Sequence, residues 1–273
     1  MVREGKRDMN RKDASQTHIV SISSGLSSAL VACRVIERYG MKNTRFVFMD
    51  TTIEDIDNYR FLNEFADKFG IELVVLKDGR DPYQVATDKQ IIPNQKIAPC
   101  TMELKIKLFR KYIEQFDPSK TTIHIGFDFS EVHRCKDTDK NYGAMGFKVD
   151  YPLLWKPYEY RPYTEVSRMD WRIEPPRMYD RGYSHANCSG LCVKQGQGDW
   201  IRTLIHEPEK YARIETWEQQ MRTGPRANYA LVRDQSGGEV TPLTLRELRL
   251  KHEAKTPLSL FDSQNVCITC GVG

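Results

Sequence analysis

The sequence predicts an α/β protein: a Rossmann-like parallel sheet with helices on both faces. Three observations predict it. Short β-branched segments alternate with amphipathic helical segments over the first half of the chain, a turn of small residues joins the first strand to the first helix, and no internal repeat interrupts the alternation. Strands connected through helices lie parallel, and ligands bind at their carboxyl ends. The second half is expected to add a smaller, mostly helical region that contains cysteines.

Hydrophobic periodicity assigns the elements of the first half in order. Residues 17–22 are mostly β-branched and predict a strand, and the alanine- and leucine-rich residues 26–39 predict a helix. Further strands are predicted at 44–49, 71–76 and 121–127, and further helices at 55–69, within 79–87 and at 101–115.

The pattern changes after about residue 150. Prolines recur between 151 and 183, which predicts mostly loop. Helical periodicity returns at 198–222 and is broken at Pro208, a residue that suits the first turn of a new helix. A short strand is predicted at 229–232, and Thr244 with Glu247 has the spacing of a capping box before a last helix.

Composition limits the class of protein. The chain has 273 residues, of which 40% are hydrophobic and 29% are charged, and its net charge of +4 suits an anionic ligand without indicating nucleic acid. No apolar run is long enough to span a membrane, and the polar first 16 residues lack the apolar centre of a secretory signal. We therefore expect a flexible tail at 1–16 and a cytoplasmic protein without membrane contact.

The turn after the first strand is the first chemical cue. Its residues are Ser23, Ser24, Gly25, Leu26, Ser27 and Ser28. Such a turn offers backbone N–H groups, hydroxyls and the positive end of a helix dipole to one point, which suits a polyphosphate. Its spacing is neither that of a Walker loop nor that of a dinucleotide-binding loop. An ordinary turn between a strand and a helix is the alternative.

The end of the second strand is the second cue. The carboxylate of Asp50 could accept hydrogen bonds from ribose hydroxyls, and the backbone of Phe48 and Met49 could pair with an adenine edge. The alternative is that Thr51 or Thr52 caps the helix that follows.

The cysteines are the third cue. Seven cysteines in a chain without a secretory signal favour metal binding or catalysis over disulfides. Cys188 with Cys192 and Cys267 with Cys270 form two close pairs, while Cys100 opens a predicted helix. Such thiolates could hold zinc or an iron–sulfur cluster. The alternative is a set of isolated, buried cysteines.

Together these cues resemble the phosphoadenosine phosphosulfate reductase family, within the superfamily of PP-loop ATP pyrophosphatases. The resemblance covers nearly the whole chain. Residues 23–28 are similar to the family's SGGxDS loop, 50–52 to its DTG segment, 100–106 to its C(T/C)xxxK helix start, 126–134 to its GxRxxES-type segment, and 187–211 to its cysteine-containing helical half. The resemblance implies a PP-loop nucleotide-binding domain at 17–150 and a region at 151–273 that completes the site.

The resemblance also implies ligands and roles. It implies ATP or a related adenine nucleotide with Mg²⁺, held by the loop serines and Gly25 at the pyrophosphate and by Asp50 at the ribose or the magnesium. Lys105 and Arg134 are expected to contact anionic oxygens. It further implies that the metal ligands are Cys100, Cys188 and Cys192, with Cys267 or Cys270 as the fourth, and it favours a [4Fe–4S] cluster over zinc.

Three functions follow from these expectations. The first is an enzyme that cleaves ATP between the α- and β-phosphates, to activate a second substrate or to support sulfur chemistry. The second is a thiol-dependent sulfonucleotide reductase with Cys270 as nucleophile, although the family's terminal ECGxH motif is incomplete here. The third is a catalytically weak nucleotide-binding module of a mobile-element or defence system, which the replacements Ser24 and Ser27 in the loop favour.

Arginines and tyrosines interleave between 156 and 183. Such a segment could hold a single nucleic-acid strand, and a lid over the nucleotide site is the interpretation that we favour. A nucleic-acid or protein partner and a homo-oligomer stay open.

Overall fold

The computed structural model describes residues 16–156 and 171–254. The tail predicted at 1–16 falls, except for Gln16, on residues 1–15, and Cys267 and Cys270 fall on 255–273. These predictions therefore lie outside the described residues.

A five-stranded parallel sheet in the order β3-β2-β1-β4-β5 confirms the predicted fold. Its strands are β1 (Thr17–Ile22), β2 (Thr44–Asp50), β3 (Leu73–Lys77), β4 (Thr121–His124) and β5 (Lys148–Asp150). In the central strand β1, Val20 pairs with Phe46 on one side and with His124 on the other. The chain runs outward through β2 and β3 and then crosses to β4, so the strand order reverses between β1 and β4. Ligands bind at such a reversal.

Helices cover both faces of the sheet. They are α1 (Leu26–Tyr39), α2 (Ile56–Phe69), α3 (Pro82–Asp88), α4 (Lys107–Ile113), α5 (Val132–Gly143), α6 (Gln197–His206), α7 (Pro208–Met221) and α8 (Leu245–Glu253). A π-helical turn, Thr101–Ile106, leads into α4, and β6 (Val232–Asp234) pairs with β7 (Thr241–Leu243) in an antiparallel ribbon. Among the described helices, none combines the length and the apolar character that a membrane crossing requires.

The two faces of the sheet bury alternate residues of each strand. Val20 and Phe46 pack in the core beneath α1 and α2. Their neighbours Ile19 and Val47 pack on the opposite face, together with Phe109 of α4. This period of two, with both faces apolar, is what a sheet covered on both sides requires.

A third core joins α3 of the first half to the helices of the second half. It contains Tyr83 of α3 and the fully buried Trp200 of α6. The apolar stripe predicted on α7 lies in this core through Tyr211, Ile214 and Met221. The capping box predicted before the last helix is present, because Thr244 and Glu247 bond each other's backbone N–H groups.

Several boundaries differ from those predicted. β4 ends at His124, before Gly126, whose Cα passes so close to α1 that an added Cβ would lie 3.1 Å from a methyl carbon of Val31. The predicted strand at 229–232 is displaced to β6. α5 and β5 are absent from the prediction, because α5 is polar and buries only Thr138 and Tyr142.

Candidate functional site

The phosphate loop, residues 23–28, is folded around one hydroxyl. Ser28 Oγ accepts the Ser23 N–H at 3.0 Å and lies 2.7 Å from the Ser23 carbonyl oxygen and 2.9 Å from that of Gly25. Gly25 is the N-cap of α1 and has no side chain to bond the first N–H groups of the helix. The loop therefore directs the positive end of α1 toward the carboxyl end of the sheet.

An open cleft of about 750 Å³ lies at this edge of the sheet. Seven residues singled out from the sequence line it: Ser23, Gly25, Ser27, Ser28, Phe48, Met49 and Lys105. Ser24 and Leu26 are buried and do not line the cleft, although the Leu26 N–H belongs to the loop. Ser24 keeps a negative φ, so replacing the family's glycine there introduces no left-handed strain.

The opposite wall of the cleft comes from the second half of the chain. Tyr179, His185, Ala186 and Asn187 line it. None of these four is among the site residues predicted from the sequence. Only the expectation that 151–273 completes the site and the interpretation of 156–183 as a lid point toward them. Their position depends on a long segment folding back over the sheet, for which the sequence carries no local signal.

Asp50 is turned away from the cleft. Its carboxylate accepts hydrogen bonds from Tyr59 Oη at 2.6 Å and from the Thr52 N–H at 2.8 Å, and it pairs with Lys77 Nζ at 3.3 Å. These contacts place Asp50 beside β3 instead of among the lining residues, so its role at a ribose or a magnesium ion stays a prediction.

Arg134 is likewise outside the lining of the cleft. Its guanidinium pairs with the buried Glu131 at 2.5 Å and lies 4.3 Å from the centroid of the Phe127 ring. Phe127 itself lines the cleft. In this arrangement Arg134 packs against Phe127, a residue of the wall, and its contact with an anionic oxygen stays a prediction.

The structure brings three of the predicted metal ligands to a second, smaller cavity. Cys100, Cys188 and Cys192 line this cavity, of about 310 Å³, together with Thr51 and Lys105. We call it the cysteine cavity. Burial raises the pKa of the neighbouring Tyr83 phenol well above its usual range, and the three thiols reinforce that rise.

The side chains of the cysteine cavity have the donor atoms that a soft metal prefers, but they are not grouped closely enough to act together as its ligands. Thiol sulfur is the donor that zinc and iron–sulfur clusters prefer. Within residues 16–156 and 171–254, however, no three Cys, His, Asp or Glu side chains are grouped as metal ligands.

Lys105 belongs to both cavities. It is buried and lines the cleft as well as the cysteine cavity. It lies in the π-helical turn, a distortion that often accompanies functional sites. The side chain of Lys105 therefore lies between the cleft that contains the loop and the cavity that contains the thiols.

Glu54 connects the cleft by hydrogen bonds to the turn that contains Cys188 and Ser189. It lines the cleft, and its carboxylate accepts the Cys188 N–H at 2.8 Å and the Thr51 hydroxyl at 3.1 Å. Cys188 and Ser189 have φ values of +50° and +54°, which are unfavourable for residues with a side chain. The bond from Glu54 is thus one of the contacts that hold this strained turn.

Ion pairs fix Arg177 and Arg181 in the described part of the lid segment. Arg177 Nη2 lies 2.8 Å from the buried Asp55, and Arg181 pairs with Glu207 at 2.5 Å. The Arg177 guanidinium also helps to hold the pKa of Asp55 below its usual value against the effect of burial. These two arginines bond carboxylates of the same chain, while Arg161 and Arg168 lie outside the described residues.

Comparisons with known proteins give weak matches. No family model matches the chain. The chain is 22% identical over 205 residues to an uncharacterised protein of Methanocaldococcus jannaschii, which covers 74% of this chain and 47% of that protein. It is 29% identical over 70 residues to a glutamine-dependent NAD(+) synthetase of Aquifex aeolicus, which covers 26% of this chain and 12% of the synthetase. The chain thus spans less than half the length of these curated relatives.

One structural neighbour is an NH3-dependent NAD synthetase from Campylobacter jejuni, solved with nitrate. It is 16% identical with a TM-score of 0.39, and the match covers 79% of this chain and 87% of the synthetase. The match to the Aquifex NAD synthetase supports the PP-loop ATP pyrophosphatase superfamily, and it does not extend to the phosphoadenosine phosphosulfate reductase family.

Proposed function

We propose that this chain is an adenine-nucleotide-binding enzyme that cleaves ATP between the α- and β-phosphates and so activates a second substrate. The observation that carries the proposal is the position of the phosphate loop: it lies at the reversal of strand order and lines an open cleft together with Phe48 and Met49. Loop N–H groups and the α1 dipole suit the pyrophosphate portion.

Different residues of the cleft would bind the phosphates, stabilise the developing charge and contact the adenine. The loop would hold the β- and γ-phosphates, and the ammonium of Lys105 would offset charge that develops on the α-phosphate and the departing pyrophosphate. The backbone of Phe48 and Met49 would face the adenine. The Mg²⁺ ion would arrive with ATP as part of the substrate.

The test measures MgATP binding by calorimetry and identifies the products of any turnover. We expect AMP and pyrophosphate, and we expect Lys105→Gln to lose roughly 100-fold in turnover, as for removal of one stabilising donor. Lys107→Gln is the matched control, because Lys107 is exposed two residues away and pairs with Glu103 at 2.8 Å. Failure of the wild type to bind MgATP, or release of ADP, would contradict the proposal. Binding without turnover would favour the accessory nucleotide-binding module.

As a second candidate we propose thiol chemistry at the cysteine cavity, as in a sulfonucleotide reductase. The convergence of Cys100, Cys188 and Cys192 on one cavity beside Lys105 favours it. A metal cluster there would require the three thiols to move closer together, because the described residues do not group them as ligands. A fourth thiol ligand would have to come from Cys267 or Cys270. No step of the ATP chemistry depends on this candidate.

Anaerobic purification followed by assays of iron, acid-labile sulfide and zinc tests the metal. Iron with matching sulfide would support a cluster, and loss of metal in Cys188→Ser but not in Cys33→Ser would place it in the cavity. A Cys270→Ser variant that still reduces a sulfonucleotide would rule out the nucleophile role of Cys270.

A further inference from the structure

A hydroxyl of the chain already occupies the end of the phosphate loop. Tyr179 Oη accepts the Leu26 N–H at 3.1 Å. Leu26 is the first residue of α1, so its N–H points out of the helix toward the position that an anion would take. A Cβ added to Gly25 would lie 3.2 Å from the same oxygen, which shows that the phenol lies directly against the loop.

Two backbone N–H groups converge on this oxygen. Burial raises the pKa of Tyr179 to about 12, and the backbone hydrogen bonds from Leu26 and Ala186 moderate that rise. The hydroxyl is therefore neutral at physiological pH. A phosphate oxygen, which carries negative charge, would complement the same N–H groups and the α1 dipole better than a neutral phenol does.

Contacts with α2 bring Tyr179 to the loop. The Arg177 N–H donates to Asp57 Oδ2 at 2.7 Å, while the Arg177 side chain bonds Asp55, the N-cap of α2. Two residues later, Tyr179 reaches the loop, and its ring packs against the core beneath α1 and α2. The backbone before Tyr179 and the Tyr179 ring are thus held by contacts with α2 and the core.

We propose that Tyr179 competes with the phosphates of the nucleotide for the loop, so that a polyphosphate binds only by displacing the hydroxyl from Leu26. The proposal rests on the proposed function, because it takes the loop as the phosphate site. It makes Tyr179 a specificity-determining residue: its hydroxyl weakens the binding of phosphate-bearing ligands and leaves the binding of adenosine unaffected.

Calorimetry with ATP and with adenosine on Tyr179→Phe tests the proposal. Without the hydroxyl, the Leu26 N–H has no bond to lose when ATP binds, so we expect ATP affinity to rise roughly 3- to 10-fold, the range for one hydrogen bond. Adenosine affinity should stay unchanged. Tyr183→Phe is the matched control: Tyr183 is a buried tyrosine of the same segment, and its hydroxyl bonds Thr203 at 2.9 Å instead of the loop.

The outcomes separate this proposal from the proposed function. Weaker or equal ATP binding by Tyr179→Phe, with ATP binding intact in the wild type, overturns the competition and leaves the nucleotide site standing. Equal gains for ATP and adenosine overturn it as well, because the effect would not involve phosphate. Absence of binding by both proteins overturns the proposed function and this proposal together.

Discussion

At the scale of single residues, Thr52 distinguishes the loop after β2 from the DTG segment that it resembles. Thr52 has a φ of +69°, a left-handed conformation that a β-branched residue adopts only at a cost. The family's DTG segment has glycine at this position. Asp50 accepts the Thr52 N–H and thereby holds the strained turn.

We therefore expect Thr52→Gly to stabilise the protein. Glycine relieves the strain of the left-handed conformation but costs entropy on folding, which leaves a net gain of about 1 kcal/mol in the free energy of unfolding. Urea unfolding would measure it. Lys42→Gly, in an exposed turn where φ is not positive, is the control and should destabilise instead. A loss of stability in Thr52→Gly would show that the threonine makes contacts worth more than the strain.

The resemblance and local chemistry could predict many of the residues that line the two cavities. The lining serines of the loop, Phe48, Met49 and Lys105 lie at strand ends or helix starts that the sequence marks clearly. Asp50 and Arg134 are not among the lining residues and bond Tyr59 and Glu131 instead, so their predicted roles stay predictions. Sequence spacing does not show such competition between neighbouring side chains.

At the scale of elements, a buried carboxylate joins α7 to β6 and α8. Glu218 is fully buried, and its two oxygens accept the Leu231 N–H at 2.8 Å and the Leu245 N–H at 2.7 Å. Leu231 precedes β6, and Leu245 opens α8. Burial raises the pKa of Glu218 to about 7, although the two N–H donors oppose that rise.

The raised pKa predicts how stability depends on pH. Between about pH 4.5 and 7 the folded state retains a proton that the unfolded state releases, so the contribution of Glu218 to stability falls as pH rises, by about 3 kcal/mol. Glu218→Gln removes this titration, and its amide N–H₂ would face a backbone donor, which costs roughly 1–3 kcal/mol. We expect the wild type to be the more stable protein at pH 5 and its advantage to shrink by pH 8.

Urea unfolding at the two pH values checks this expectation. Glu209→Gln, on the exposed surface of the same helix, is the control and should leave the pH dependence unchanged. An advantage of the wild type that is the same at both pH values would mean that Glu218 does not titrate in this range.

The elements that could be predicted are those with strong periodicity. β1, α1 and the capped helix α8 lie where apolar spacing and capping residues place them. α5 and β5 could not be predicted, because a polar helix and a three-residue edge strand carry almost no periodic signal.

At the scale of the whole molecule, the cleft is built from two distant parts of the chain. The sheet supplies the phosphate loop, and the segment around Tyr179 to Asn187 supplies the opposite wall. That wall could not be predicted, because it depends on contacts such as Arg177 with Asp55, which are 122 residues apart in the sequence. The long-range fold thus determines which residues could face a nucleotide.

The shared side chain of Lys105 predicts that the nucleotide alters the thiols. We expect ATP to slow the alkylation of Cys100 by N-ethylmaleimide roughly tenfold, a coupling of typical size between linked sites. Peptide mass spectrometry would measure the rate. Cys135, half-buried on α5 and outside both cavities, is the internal control. Equal protection of Cys100 and Cys135 would indicate general tightening of the protein instead of coupling through Lys105.

The position of Lys105 between the two cavities has a thermodynamic consequence. If occupation of one cavity changes the equilibrium affinity of the other, the change must be reciprocal and of the same factor. Any reversible ligand of the thiols would then act as an effector of ATP binding, and ATP as an effector of that ligand. Through the buried side chain of Lys105, the ATP concentration would then set how strongly the cysteines bind their ligand, and the occupancy of the cysteines would set the affinity for ATP.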